Sequence, residues 1–437
     1  MKKVIRWLLG FIAVLILIVA AMVGSIDRTP LHEQQFYNDM MGKLDTIRID
    51  DHGSGELRSG WKRVNITPSM PMPMAGYIPR DHFDIVHDSL FARVLVIENA
   101  SFRCAMVNVD LLIFPPLLRD KIVEKLNDNT FLYLSATHTH NGVGGWDPSI
   151  GGRLITGKFS EEYVEGIADK IVAAIKGITT LTSSIQYYEA EATDMMENRV
   201  DVDSGKVDGK IRGIMLERVD RTSALLFILS AHATSLKSEM LELSADYPGK
   251  IMRNLQSFTF PMFMSGMVGS TRFQFSPLQN YEFIDTVSKK VWTHLEKNYK
   301  VDSIKHAPVI RSAHIPIEFG PSQLRIDKNF KLNNWAFRIL FRKLKGELTY
   351  LEIGDIVFIG TPCDFSSEIY VMDSLESYAA KYNKHLIITS FNGDYDGYIT
   401  YDKHYEVSSK EEINALNWVG PYYGEYFSDM IKKVVAK

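Results

Sequence analysis

The chain of 437 residues has only two cysteines, Cys104 and Cys363, and they lie far apart. Two such thiols build neither a disulfide framework nor a cysteine-rich zinc site on their own. Both flank apolar, strand-like runs, so they read as buried thiols, with one long-range disulfide as the competing reading. Long basic runs are missing too. Lys and Arg number 49 against 53 Asp and Glu, for a formal net charge of -4, and nothing in that balance draws the chain to nucleic acid. There is no internal repeat and no low-complexity tract. A Gly-x-Ser-x-Gly nucleophile elbow is also absent, which leaves a serine hydrolase with little more than Ser270 in a glycine-rich turn.

Charge is likewise missing from Trp7 to Ile26, a stretch rich in Leu, Ile, Val and Ala. About 20 apolar residues match the hydrocarbon thickness of a bilayer. Lys2, Lys3 and Arg6 precede this run, so the positive flank stays in the cytoplasm and everything after Asp27 is sent across. Residues 1–27 are therefore expected to be a single-pass anchor, with the body periplasmic or extracellular. A cleaved signal peptide is the alternative, since Ala21 and Gly24 are small, but no clean Ala-x-Ala site closes the run. Residues 28–57 read as a polar stalk with a short helix from Glu33 to Leu44. Residues 58–437 form one large folded body, and no linker divides it.

Within that body, short apolar runs alternate with amphipathic ones. Strands are expected at Arg93 to Glu98, Cys104 to Leu112, Thr130 to Thr137, Ile211 to Leu216, Ala224 to Leu229 and Asp355 to Thr361. Several are apolar throughout, as in sheets covered on both faces. The clearest helix starts after Ser160, a good N-cap, with Glu161 and Glu162 in its first turn. Its apolar residues Tyr163, Ile167, Ile171, Ala174 and Ile175 recur at helical spacing. Further helices are expected over Leu117 to Leu126, Tyr281 to Asn298 and Ser366 to Tyr382. The fold class is α/β, with mixed α+β layers.

Three of the strands run into side chains that suit a metal. Phe131 to Leu134 opens into Ser135-Ala-Thr-His-Thr-His-Asn-Gly-Val-Gly-Gly145, where His138 and His140 are two residues apart. His232 follows Ala224 to Leu229. Asp364 follows Ile356 to Ile359, although it could instead cap the helix beginning near Ser366. Imidazole nitrogen and carboxylate oxygen suit Zn²⁺, whose catalytic sites leave one position open. Each residue alone has an ordinary structural explanation. Three strand ends with the same chemistry make the pattern worth testing.

Taken in order, these segments resemble the neutral/alkaline ceramidase family from about residue 60 to 406. Gly60-Trp-Lys-Arg-Val-Asn-Ile-Thr-Pro68 with Met74-Ala-Gly-Tyr77 is similar to its opening motif, and Ala92-Arg93 to the strand that follows. Thr137-His-Thr-His-Asn-Gly142 with Gly144-Gly145 resembles its metal loop. Asn198-Arg199, His232 with Ser244-Ala-Asp246, Tyr398-Ile-Thr400 and His404-Tyr-Glu406 resemble later motifs. The resemblance implies a single catalytic domain of the neutral ceramidase type. It implies one Zn²⁺ per chain held by His138, His232, Asp364 and Tyr398, with His140 as acid/base and Arg199 and Tyr405 at the reacting amide. Asn141, Gly142 and Gly144 would meet the substrate, a lipid-like N-acyl compound such as ceramide.

Three departures qualify those expectations. Asp364 stands where the family carries Glu, shorter by one methylene. Gly266-Met-Val-Gly-Ser-Thr-Arg272 replaces the family's Gly-Asp-Val-Ser-Pro-Asn-like segment, so the family's substrate pocket does not carry over with it. Tyr398 and Tyr405 are closer together than the family pattern has them, and the chain ends soon afterwards, so a C-terminal immunoglobulin-like domain is not expected. A different amide or ester substrate, or a non-catalytic ceramidase-like envelope protein, are the competing readings. Oligomeric state is not legible.

Overall fold

The computed structural model describes residues 2–78, 80–274 and 279–437. Alternation within single strands sets its layers. In Phe91–Glu98, Leu95 and Ile97 enter one hydrophobic cluster while Val94 and Val96 enter another, the period of two that a pleated strand imposes. The cluster holding Leu95 and Ile97 also contains Leu351, Ile353, Ile356 and Phe358 from a second sheet. The two sheets therefore pack face to face. Val94 and Val96 meet Val164, Ile167 and Ile171 of the helix Glu161–Gly177. Ser160 caps that helix as expected, accepting from Tyr163 N at 3.3 Å. Helices Gln35–Thr46 and Tyr423–Val435 cover the outer face of the second sheet. The result is helix, sheet, sheet, helix, the mixed α/β architecture the sequence implies.

The larger sheet has nine strands. They run in order from Phe260–Ser265 through Ser223–Leu229, Lys210–Arg218, Leu181–Glu191, Arg58–Asn65, Phe91–Glu98 and Arg103–Val109 to Phe131–Ala136, with Tyr299–Val301 paired on Leu181–Glu191. The smaller sheet orders Asp50–Ser54, Val309–Pro316, Glu347–Ile353, Ile356–Thr361 and His385–Ser390. Sheet twist accumulates over so many strands. Phe260–Ser265 and Phe131–Ala136, at opposite ends of the strand path, pack against each other. Ser265 Oγ donates to the Ala136 carbonyl at 2.8 Å. His385–Ser390 joins the same seam, where Ser390 Oγ donates to Gly266 O at 2.8 Å and Ser135 Oγ to Ser390 O at 3.0 Å. Buried hydroxyls thus pin three strand ends together.

Two expectations need correction. Residues 28–57 are not a free stalk: Leu31, Met40 and Leu44 are buried in the core, and Asp50–Ser54 pairs with Val309–Pro316. The apolar period of Gln35–Thr46 is satisfied by the second sheet's helical layer, which the short window did not reveal. The helix expected from Ser366 to Tyr382 is two, Ser367–Met372 and Leu375–Ala380, broken where Ser374 adopts φ 54°. At the N-terminus, Lys3–Met22 is helical, exposed up to Ala21, and long and apolar enough to cross a membrane. Both cysteines are buried and free.

Candidate metal centre

All the strand-end residues lie at the carboxyl ends of strands in parallel pairs. His138 follows Phe131–Ala136, which pairs with Arg103–Val109. His232 follows Ser223–Leu229, which pairs with Phe260–Ser265. Asp364 follows Ile356–Thr361, which pairs with His385–Ser390. Loops at that edge have a rigid base and their own backbone groups free for a ligand. His138 itself takes a left-handed backbone at φ 59° and stacks on Phe391, also left-handed at φ 68°, with ring centroids 4.5 Å apart. Such conformations cost of order 1 kcal/mol or more in a non-glycine residue and persist only where the surroundings enforce them.

Three imidazoles converge. His138 Nε2 lies 2.8 Å from His232 Nε2, and His140 Nε2 lies 3.4 and 3.1 Å from them. The other ring nitrogens face backbone carbonyls: His138 Nδ1 to Leu112 O and His140 Nδ1 to Gly76 O, both at 2.7 Å, and His232 Nδ1 to Val268 O at 3.2 Å. A carbonyl only accepts, so each Nδ1 carries the proton and each Nε2 presents a lone pair. Three lone pairs facing one another repel unless a cation lies among them. Burial, with the charge of Arg199 nearby, pushes all three imidazoles towards the neutral form, His138 down to about 3. Neutral, oriented imidazoles anchored by carbonyls are what a metal requires.

An anion and a phenol complete the group. Asp364 Oδ1 is 3.3 Å from His138 Nε2 and has no hydrogen-bond partner, while Tyr395 Oη donates to Asp364 Oδ2 at 2.8 Å. Burial pushes the Asp364 carboxyl up to about 7, against hydrogen bonds from Tyr395 and Tyr398 and the Arg199 charge. Ser366, not Asp364, caps the following helix by accepting from Glu368 N. Tyr398 Oη lies 3.3 Å from His232 Nε2. The parallel pairing of Asp364–Phe365 with Tyr398–Ile399 sets Asp364 opposite Tyr398. The donor set of imidazoles, carboxylate and phenol fits a divalent ion such as zinc. His140 Nε2 stands beside these atoms in the same cluster.

Other expected residues fall differently. Arg199 is half-buried, paired through Nη2 with Glu412 at 2.7 Å, and its buried Nη1 has no partner. Tyr405 is not at the cluster: its ring lies under Arg325, whose guanidinium carbon is 3.9 Å from the centroid. The short spacing after Tyr398 turns the chain into a one-turn helix, Asp402–His404, which carries Tyr405 away. Asn141, Gly142 and Gly144 do not line the neighbouring cavity. Asn141 Nδ2 donates to the Met240 and Glu242 carbonyls at 3.1 Å, Gly142 O accepts from Ala75 N at 3.1 Å, and Gly144 N donates to Pro73 O at 2.7 Å. These residues bind the loop to its surroundings. The segment 266–272 supplies backbone support, through Val268 O to His232 and Ser270 O to Arg199 N at 2.8 Å. Ser270 is buried against Ser366, which gives it no histidine to act as a base.

Some participants had no sequence signal. Gly76 sits at φ 112°, and a Cβ there would lie 2.6 Å from His140 Cα; the close approach lets its carbonyl orient the ring. Tyr395 and Glu412 were hidden in a tyrosine-rich and a charged stretch. Beside the imidazoles lies a cavity of about 140 Å³ walled by Ile113, Trp146, Ile155, Phe341, Leu416 and Trp418, with Asp147 and Arg342 among its polar wall groups.

A mixed α/β body with a group of three histidines at its strand ends that could hold a metal ion is the class the fold and site define. Residues 60–250 match the family model for the N-terminal part of neutral/alkaline non-lysosomal ceramidase. The fold is similar to a crystal structure of neutral ceramidase from Pseudomonas aeruginosa, at TM-score 0.73 and 16% identity, covering 87% of this chain and 75% of that one. It is also similar to a ceramidase complexed with C2, at TM-score 0.74 and 15% identity over the same shares. No curated protein sequence matches the chain. The resemblance to the neutral/alkaline ceramidases therefore holds in sequence over residues 60–250 and in fold over most of the chain.

Proposed function

We propose that the protein is a membrane-anchored, extracytoplasmic zinc amidase that cleaves an N-acyl lipid of the ceramide class to a fatty acid and an amine base. The observation that carries this is the convergence of three neutral imidazole Nε2 atoms, with the Asp364 Oδ1 atom 3.3 Å from one of them, beside an apolar cavity. His138, His232, Asp364 and Tyr398 would hold the ion, which when bound acidifies water and polarises a carbonyl. His140 is the half-exposed member of the triad. Its lone pair accepts a proton from the attacking water and its imidazolium returns it to the leaving nitrogen. The unpartnered Nη1 of Arg199 donates to the developing oxyanion. Ile113, Ile155, Phe341 and Trp418 take the acyl chain and exclude water. The apolar helix 3–22 keeps the body beside its lipid substrate.

Arg342 on the cavity wall supports a second reading within the same chemistry, an N-acyl amino lipid with a carboxylate headgroup. Hydrolysis of a panel of N-acyl sphingoid and N-acyl amino lipids, with zinc content measured in parallel, separates the two. Turnover by His138→Ala equal to that of the unaltered chain would remove metal catalysis altogether. Stoichiometric zinc without any amide hydrolysis would point instead to a metal-containing binding protein.

A further inference from the structure

The end of the apolar helix is not a free tether. Val23–Ser25 pairs with Phe330–Leu332, Asn333 N donates to Met22 O at 2.7 Å, and Asn333 Nδ2 donates to Ala21 O at 2.8 Å. Trp335 Nε1 reaches the same Ala21 carbonyl at 3.3 Å. The helix Asn334–Leu340 is thus fixed to the point where the anchor would leave the bilayer. Its outward residues are unusual for a water-facing surface. Trp335 is 47% exposed and Ile339, one turn later, 61%. Helix Ile150–Thr156 packs beside it and exposes Ile150 at 54% and Leu154 at 70%, again one turn apart.

Charge points the same way. Residues 328–345 hold six Lys or Arg and no Asp or Glu. Among the described residues, Lys328, Arg338, Lys343 and Lys345 are exposed and their side-chain cations have no carboxylate partner. Exposed Trp, Ile and Leu among unpaired cations make up the composition of a surface that lies in the headgroup layer, and unpaired cations near an anionic surface add to that attraction.

Resting on the reading of residues 3–22 as a membrane anchor, we infer that the body has a second membrane contact. The face formed by Ile150, Leu154, Trp335, Ile339 and the basic residues around them docks on a bilayer carrying anionic headgroups. Gly152, Ile155, Phe341 and Arg342, from the same two helices and the turn after the second, wall the cavity beside the histidines. Docking therefore sets the cavity against the lipid, so that an acyl chain passes from bilayer to cavity without crossing water.

The test uses the full chain in nanodiscs of phosphatidylcholine with or without phosphatidylglycerol, doped with brominated lipid. Trp335→Phe should lower the quenched share of tryptophan fluorescence, and the loss should be larger with phosphatidylglycerol and smaller in high salt. Equal quenching of Trp335→Phe and the unaltered chain overturns the proposal. The double variant Leu154→Glu with Ile339→Glu should raise KM for a bilayer-embedded N-acyl lipid about tenfold, while a short, water-soluble N-acyl substrate is turned over as before. An unchanged KM overturns the proposal as well. If neither substrate is hydrolysed by any form, the proposed activity has failed, and the quenching measurement alone decides the docking.

Discussion

Among the described residues, two places gather three metal-compatible side chains, and they are built in opposite ways. At the strand mouth, His138, His140 and His232 are neutral, held by carbonyls and without a cation of the protein's own at their centre. Asp302, which follows Tyr299–Val301 of the larger sheet, also lies close to Asp355 and His385 of the second sheet, but all are half-exposed. There Lys305 Nζ bonds Asp302 at 2.7 Å and Asp355 at 3.0 Å. His385 stacks on Tyr187 with centroids 4.0 Å apart. One group needs a cation to relieve lone-pair repulsion, whereas the other already has one covalently attached to the chain. Ligand types alone do not make a metal site. The balance of charge around them does.

This contrast can be broken most directly by deletion. His232→Ala should abolish both zinc retention and amide hydrolysis, whereas Asp355→Ala should leave zinc stoichiometry and turnover as they were, by metal analysis and lipid hydrolysis. If both variants keep zinc, the ion is not in the histidine mouth. Tyr395→Phe comes next. Losing the bond to Asp364 should weaken zinc affinity about 10–100-fold in competition with a chelator, with little change in fold. Removal of zinc should lower thermal stability by about 3 kcal/mol when the ion was present at a hundred times its dissociation constant, measured by calorimetry before and after chelation. Gly76→Ala should cost roughly 1–3 kcal/mol and reduce turnover more than zinc content, because the added carbon displaces His140. The smallest effect sharpens the comparison from the other side. Lys305→Met should cost about 1 kcal/mol, as a half-exposed ion pair, and should make that cluster gain a divalent-ion thermal shift that the parent lacks.

Much of this was legible in the residues. Ser160 announced its helix because a hydroxyl ahead of a 3.6-period run is a local signal, satisfied within one turn. His138, His232 and Asp364 announced themselves because each follows an uninterrupted apolar run. What failed was whatever depended on distant partners. The segment 31–54 looks polar, yet its few apolar residues are enough to pack against the helix Tyr423–Val435. The family resemblance implied Tyr405 as a site residue against its short spacing, and a single helical turn after Tyr401 directs it elsewhere. Gly144 looked like a place for substrate to approach, and the approach is made by the protein's own backbone.

By itself, then, the sequence determined the elements, the anchor-like helix and the identities of the donors at strand ends, because periodicity, capping and turn chemistry act over a few residues. Only the tertiary structure decided that these donors meet. His138 and His232 follow strands near opposite ends of an eight-strand path, and nothing local says that the path curls back on itself. The accumulated twist and the buried serine bonds across the seam do that. The same closure decides which carbonyls face the Nδ1 atoms, and so which way every imidazole points its lone pair.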